Sequence, residues 1–511
     1  MISRAFFSVS DRTGLADFAR GLRELGAELV ASDGTAAHLR EEGIEVRGVE
    51  ELTEVPELLG GRVKTLHPRI HAGILAREAD DSELRERGIE QFDLVCVNLY
   101  PFEELAARED TSQQEAIEAI DIGGPTLLRG AAKNHARVAA VCRPDQYGPI
   151  LDELREVGEL SGETRRRLAA EAFMTSAHYE AAIARWFSRA GEDVLPERFA
   201  ASFTKWQDLA YGENPHQPAA YYVEAGARRH LLSQVTQLHG RELSLVNLLD
   251  LSAGRMLLRE FTRPICVIVK HATPCGVAVA ASIEEAYERA VASDPDSAFG
   301  MTCVLNRPVR AGLAQLLAER FVDVLFAPAY EQEALATLSA KPDLRILLNR
   351  ERRGFDPDER DLKRVVGGVL VQQRDWATES RREMQVVCGA PSEAQWEDLL
   401  LAWRVCKHAV SNAIVIVREG QTIGIGAGQT SRLDAVRIAV ESAGRHGHDL
   451  HGTVLASDGF FPFADGPETA LEAGVRAVIQ PGGSKRDDEV IAAVSEAGAA
   501  MVFTGRRHFR H

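Results

Sequence analysis

Apolar positions in the first two hundred residues alternate between two periods. Short unbroken runs at residues 5–9, 28–31, 94–98 and 138–141 read as buried strands. Between them, residues 15–25 repeat their apolar side chains at helical spacing, and a second helix is expected after residues 32–35. Strands alternating with helices predict a parallel sheet covered on both faces. A polar helical stretch over residues 145–189 closes this region, with Arg165, Arg166 and Arg167 expected on a solvated face. Residues 191–196 interrupt the pattern and divide the chain into domains 1–195 and 196–511. Beyond them, runs at 265–269, 322–326, 414–417, 454–457 and 475–479 read as further buried strands of an α/β domain. A strand followed by proline occurs at 323–328 and again at 475–481. A phenylalanine turn precedes each, Ser297-Ala298-Phe299-Gly300 and Asp458-Gly459-Phe460-Phe461. Two similar α/β halves would produce that echo, and so would coincidence.

At 511 residues the chain is too long for one hydrophobic core, in keeping with two domains. Apolar residues make up 45% and charged residues 26%, the balance of a soluble globular protein, and no apolar run is long enough to span a bilayer. The first residues lead straight into a patterned strand, so no signal peptide is expected. The seven cysteines are odd in number and none are paired as C-x-x-C, which argues against a disulfide framework and a thiolate zinc site. A reducing cytoplasm is the expected compartment. The net charge of −17 excludes a general nucleic-acid binder. Anions can then bind only where Arg, Lys and backbone N–H groups are placed locally.

Several segments offer such places. SVSDRTG at 8–14, with Ser10, Asp11, Arg12, Thr13 and Gly14, follows a strand and opens a helix. Ser32, Asp33, Gly34 and Thr35 do the same after the next strand. Small residues there let N–H groups approach an anion, although ordinary helix capping uses the same residues. GRVKTLHP at 61–68 puts Arg62 and Lys64 two apart around Val63, followed by Thr65. In an extended stretch both cations face one side and suit a phosphate or a developing oxyanion; a solvated turn would read alike. NLYPF at 98–102, with Asn98 and Tyr100, lies past a strand end, where open α/β sheets bind ligands. Asp121, Ile122, Gly123 and Gly124 expose backbone donors between two helices, and Lys133 closes the second.

In this order, SVSDRTG, GRVKTLHP, NLYPF, DIGG and AAKNHARV closely resemble the cyclohydrolase domain of the bifunctional purine-biosynthesis family, which joins a formyltransferase to IMP cyclohydrolase. The resemblance implies a methylglyoxal-synthase-like fold. It also implies that Ser10 to Gly14, Ser32 to Thr35, Arg62 to Thr65, Val97, Asn98 and Ile122 to Gly124 bind a formylated nucleotide. Lys64, Tyr100, Asp121 and Lys133 would be its catalytic residues. Ring closure by a carboxamide nitrogen independently calls for such groups: positioning, donors for a charged oxygen and a proton carrier.

The second domain continues the likeness. YGENPHQ at 211–217 resembles the transformylase entry motif, but Ala210 stands where the family has Arg, which leaves one phosphate or base contact open, with Arg241 a candidate to replace it. VKHATPCG at 269–276 places Lys270 and His271, a cation beside a base, at a strand end. SAFG at 297–300 matches the family as well, although Met301 follows where bacterial members often have Gly. The run GIGAGQTSR at 424–432 lacks the G-x-G-x-x-G spacing of a dinucleotide fold and also reads as a glycine-rich hairpin. The resemblance implies a transformylase domain of two cytidine-deaminase-like halves. Lys270 and His271 would carry formyl transfer. Tyr211, Gly300, Asp323, Asn412, Arg432, Arg507 and His511 would bind the nucleotide, and Leu433, Phe460, Asp465, Ser484 and Lys485 the 10-formyltetrahydrofolate cosubstrate. It also implies a homodimer. No metal or nicotinamide cofactor is expected, and the deaminase zinc signature is missing.

Overall fold

A computed structural model describes residues 2–108, 110–188, 195–224, 234–349 and 359–511. It divides into two compact units, Met1–Thr204 with Val223–Arg228, and Lys205–Tyr222 with Arg229–His511. Of the interruption expected at 191–196, residues 191–194 lie outside the described residues.

Five strands form the sheet of the first unit: Arg4–Ser8, Glu28–Ala31, Arg47–Gly48, Leu94–Val97 and Ala139–Val141. Their spatial order is third, second, first, fourth, fifth, and all neighbours are parallel. Strand alternation sends Phe6 and Phe7 to opposite faces, and both are completely buried. Phe7 packs with Phe18 and Leu22 of the helix Leu15–Glu24. Phe6 packs with Val30, Val95 and Leu127, the last from the helix Gly123–Lys133. Burying each such ring contributes about 1.5–3 kcal/mol. Because every strand is parallel, all five C-terminal ends open on one rim. Arg165 departs from the solvated face expected for it, since its guanidinium donates to the carbonyl of Arg137 at 2.8 Å.

The second unit is built on a twelve-stranded sheet. Its first half runs Thr236–His239, helix Leu245–Leu258, hairpin Ile265–Lys270 with Thr273–Val279, helix Ile283–Ser293, then strands Met301–Leu305, Val322–Ala327 and Arg345–Leu348, separated by helices Ala311–Ala318 and Gln332–Ser339. The second half repeats this order: Gln385–Cys388, helix Glu393–His408, hairpin Ile414–Arg418 with Gln421–Gly426, helix Arg432–Arg445, then Val454–Ser457, Ala477–Gln480 and Ala500–Phe503, separated by helices Asp465–Ala473 and Asp487–Glu496. The halves meet where Thr273–Val279 lies antiparallel to Gln421–Gly426. They are therefore related by a pseudo-twofold through the centre of the sheet. Helices Leu245–Leu258 and Glu393–His408 cover one face over a shared core, and the other six helices cover the opposite face.

The internal echo is thus a true duplication, but only part of its expected signal is equivalent. Val322–Ala327 and Ala477–Gln480 hold corresponding places. The phenylalanine turns do not: Ser297 to Gly300 precede Met301–Leu305, whereas Asp458 to Phe461 follow Val454–Ser457. Gly424 and Gly426 belong to the second hairpin. An added Cβ would fall 2.2 Å from the Ala439 carbonyl oxygen and 2.0 Å from that of Ala435, so these glycines admit the helix Arg432–Arg445.

Candidate active sites

Four of the predicted loops of the first unit are tied together at the strand-end rim. The Asn98 side-chain oxygen accepts from the backbone N–H groups of Ser10 (2.6 Å) and Asp11 (2.8 Å), while its amide donates to the Asp11 carbonyl (2.9 Å). The Ser10 hydroxyl donates to the carbonyl of Leu99, just past Val97. The Arg12 guanidinium donates to the Gly34 carbonyl (3.1 Å), and Val9 N–H donates to the Thr35 hydroxyl (3.0 Å). Thr13 N–H closes on the Asp11 carboxylate (2.9 Å). Neither helix start uses a side-chain cap: Gly14, at φ 68°, has none to offer, and the Ser32 hydroxyl turns to Ser8 instead. Side-chain capping therefore does not account for these loops.

The stretch around Lys64 is not extended. Gly60 at φ 63° closes a tight turn over Leu59–Gly61, and Leu58 pairs with Val63 across it. Arg62 and Lys64 consequently find different partners. Arg62 donates to Glu118 at 3.1 Å. Lys64 Nζ lies 2.8 Å from Glu57 Oε2 and 3.7 Å from Asp33 Oδ2. The Glu57 hydrogen bond, against a smaller cost of burial, raises the Lys64 pKa, with Asp33 adding attraction. Tyr100 is 58% exposed. Asp33 is pushed upward by burial and by the neighbouring Glu57. Asp33, Glu57 and Lys64 line a cavity together with Val63 and His67.

The loop carrying Asp121 presses against this group. A Cβ at Gly123 would fall 2.5 Å from Thr65 Oγ1, and one at Gly124 would fall 2.3 Å from Asp121 Oδ2, so only glycine permits the approach. Asp121 accepts from Gly124 N–H at 2.8 Å, and its own N–H donates to Tyr179. Burial raises its pKa, opposed by the N–H groups of Gly124 and Gly123. Ile122 stays exposed. Lys133 is not brought to this cluster. It ends the helix that Gly123 begins, about 15 Å along the axis at 1.5 Å per residue, and is exposed.

In the second unit the predicted residues share one rim of the long sheet. Lys270 and Thr273 pair directly, leaving His271 and Ala272 as a two-residue turn with φ 52° and 57°. Both lie in the left-handed region that non-glycine residues rarely adopt. The turn is held at both polar groups of Ala272. Its N–H donates to Asp250 Oδ1 (2.6 Å), and its carbonyl accepts from Arg510 (2.9 Å). Lys270 Nζ donates to the Phe299 carbonyl, next to Gly300 (2.8 Å). Asp323 accepts from Asn247 (2.7 Å) and from Arg345 (2.5 Å).

The rest of the rim is drawn together by the C-terminal segment. Arg432 is 9% exposed and donates to Asn412 Oδ1 (2.7 Å), Ser457 Oγ (2.7 Å) and the fully buried Asp458. The guanidiniums of Arg432 and Arg507 lie over the Phe509 ring, at 5.9 and 4.4 Å. Phe509 in turn contacts the His511 ring at 6.1 Å. His508 anchors the segment between Asp375 (2.5 Å) and Glu379 (3.0 Å). Leu433, Phe460, Asp465, Ser484 and Lys485 stand on loops and helix starts at the same rim. At the family's departure, exposed Ala210 donates its N–H to Leu243, and Arg241 is paired with Asp343 at 2.6 Å. Tyr211 precedes the helix that supplies Asn247 and Asp250, accepting from Leu245 N–H.

Sequence reading missed Glu57, Asp250, Asn247, Arg345 and Asp458. Asn247 and Asp250 sit three apart on a helix that starts at the rim, the one signal that pointed to them. Among the described residues no three His, Cys, Asp or Glu side chains converge as metal ligands.

A family described as MGS-like domain matches residues 14–126, and one described as AICARFT/IMPCHase bienzyme matches residues 131–442. Bifunctional purine biosynthesis protein PurH of Acidithiobacillus ferrooxidans is 48% identical over 100% of this chain and 99% of its own. The protein of the same name from Bacillus subtilis is 45% identical over 100% of both. A crystal structure of ForH is 40% identical, covering 37% of this chain and 100% of that one, with a TM-score of 0.33. With full-length identity at this level and both family matches in sequence order, the chain belongs to the AICARFT/IMPCHase bienzyme family.

Proposed function

We propose that the first-unit rim, within residues 1–195, closes the purine ring of IMP, and that the second-unit rim, within 196–511, supplies its formylated precursor. The enzyme is a formyltransferase and an IMP cyclohydrolase of purine synthesis, using 10-formyltetrahydrofolate as cosubstrate. The observation that supports the assignment of the formyl-transfer site is the left-handed turn that carries His271 beside Lys270 at the same sheet rim as Arg432 and Asn412.

In formyl transfer, the exocyclic amine of aminoimidazole carboxamide ribonucleotide attacks the formyl carbon. The new C–N bond forms as the bond to the folate nitrogen breaks. His271 takes the proton released by the amine, and Lys270 steadies the charge on the formyl oxygen. Arg432, Asn412, Arg507, His511, Asp323, Gly300 and Tyr211 hold the nucleotide, and Leu433, Phe460, Asp465, Ser484 and Lys485 the folate. In cyclisation, the carboxamide nitrogen attacks the formyl carbon, and the formyl oxygen leaves as water with one proton from that nitrogen and one from the formamide nitrogen as the ring C=N bond forms. Asp121 takes the amide proton, and Lys64, Thr65 and the Gly123 N–H stabilise the oxygen as charge develops. Tyr100 completes the proton path, and Ser10 to Gly14, Ser32 to Thr35, Arg62, Val63, Val97, Asn98, Ile122 and Gly124 bind the nucleotide.

The duplicated halves of the second unit are cytidine-deaminase-like. The enzyme works as a cytoplasmic homodimer. Seven free cysteines fit a reducing compartment, and the hairpin Arg360–Val365 with Gly368–Gln373 leaves Val366 and Leu370 uncovered in a single chain. An absorbance assay supplied with aminoimidazole nucleotide and formyl-folate tests the whole reading. IMP formation supports it, and formyl transfer without IMP, or neither product, refutes it.

A further inference from the structure

We infer that Asp250 and Arg510 are positioning residues for formyl transfer, acting together to hold the His271–Ala272 turn in its left-handed conformation. The inference rests on the assignment of His271 as the proton acceptor. Left-handed backbone is unfavourable for a non-glycine residue, and this turn places two such residues in succession. It persists only where the surroundings over-determine it. Asp250, 6% exposed on the helix Leu245–Leu258, takes the Ala272 N–H, and its second oxygen receives Thr302 at 3.4 Å. Arg510 takes the Ala272 carbonyl and also the His408 carbonyl at 2.5 Å. Both backbone groups of Ala272 are thus fixed, from opposite sides of the turn.

The duplication contains its own control. In the second half the hairpin turn at the equivalent place is Glu419–Gly420, with φ 49° and 79°. Asp398, which occupies the same place in its helix as Asp250, accepts from both N–H groups of that turn at 2.7 Å. One device, a helix carboxylate holding a left-handed turn, therefore occurs twice. Lys270 and His271 occupy only the first copy; Arg418 and Glu419 stand in their places in the second. Arg510 acts on the first copy alone and belongs to the segment that carries Arg507 and His511, so the first copy alone is tied to the nucleotide-binding tail.

The test measures both activities of the full chain. Asp250→Ala is expected to lower kcat for formyl transfer about 100-fold, the scale of a 1 Å misplacement, with cyclisation unchanged. Asp250→Asn keeps an oxygen acceptor and should retain kcat within about tenfold. Ala272→Gly, which adopts the left-handed turn without strain, should recover most of the Asp250→Ala loss. Asp398→Ala should leave formyl transfer at the starting rate. Equal losses in Asp250→Asn and Asp250→Ala, or no recovery with Ala272→Gly, would overturn the positioning role in favour of a charge role. If Asp250→Ala does not fold, Arg510→Gln carries the test: an unchanged kcat there overturns the inference. His271→Ala separates the two claims, because full formyl transfer without His271 refutes the underlying assignment rather than the clamp.

Discussion

Glu57 Oε2 sits 2.8 Å from Lys64 Nζ, so the cation proposed to stabilise the cyclisation oxyanion already holds a carboxylate partner. That hydrogen bond raises the Lys64 pKa. Glu57→Gln should lower it and move the alkaline limit of cyclisation to lower pH. A pH–rate profile of ring closure checks this, and an unmoved alkaline limb would show that Lys64's charge is not set by Glu57.

Asp121 has a carboxyl raised by burial, against the pull of the Gly124 and Gly123 N–H groups. As a base it must be ionised, so the acid limb of cyclisation should lie above the ordinary carboxylate range of about 4. Asp121→Asn should remove that limb and slow ring closure about 10²- to 10⁴-fold. The formyl nucleotide supplied directly isolates this step. An acid limb that survives the substitution belongs to another group.

His271→Ala should reduce formyl transfer by about 10²- to 10⁴-fold while leaving cyclisation of preformed substrate at its original rate. Parallel loss of both activities in a folded variant would contradict separate centres.

Gly123→Ala should selectively impair cyclisation, because the added methyl meets Thr65 Oγ1 at 2.5 Å. The loop must move or Thr65 must turn away, and KM for the formyl nucleotide should rise. Unchanged kinetics would mean that the loop opens freely.

The His508 anchor predicts a pH window for the C-terminal segment. Burial alone would depress the imidazole pKa, but hydrogen bonds to Asp375 and Glu379 outweigh it and leave the value raised. Burial likewise opposes ionisation of Glu379, yet bonds from His508 and Trp403 hold it down at about 2. The imidazole's contribution is complete below its unfolded value of about 6.5 and is lost as pH rises through the folded one. The Glu379 contribution is complete above about 4.3 and is lost as pH falls toward its folded value. Stability from this cluster should therefore be greatest between those limits. Melting curves of the full chain and of His508→Gln, compared across pH, should diverge most there and converge at alkaline pH; a constant difference would show that the imidazole does not titrate with unfolding.

The elements most legible in the sequence were those whose burial is written as consecutive apolar residues. Glu28–Ala31 and Val454–Ser457 have the bounds that their apolar runs suggest. Arg47–Gly48 was invisible: two residues long, it is held at the sheet edge by backbone pairing and by ion pairs of Arg47 with Glu28 and Glu90. The loops around Asn98 were legible as motifs, since one Asn side chain binding three backbone groups needs a fixed local sequence. The partners of Arg62 and Lys64 were not, because the turn at Gly60 decides where each points. Asp250 escaped because its bond to Ala272 spans 22 residues and joins a helix to a turn. The proline echo signalled the duplication through strands that correspond, while the phenylalanine turns agreed only by accident of composition.

The pseudo-twofold also gives the catalytic rim an electrical polarity. Because the axis reverses strand direction between the halves, helices Arg432–Arg445, Asp465–Ala473 and Asp487–Glu496 begin at this rim, whereas Ile283–Ser293, Ala311–Ala318 and Gln332–Ser339 finish at it. Helix starts carry partial positive charge and helix finishes partial negative charge. A gradient therefore runs along the sheet edge, positive on the side of Arg432 and Lys485 and negative on the side of the His271 turn. The repeat's twofold arrangement thus orders charge along the rim through backbone alone.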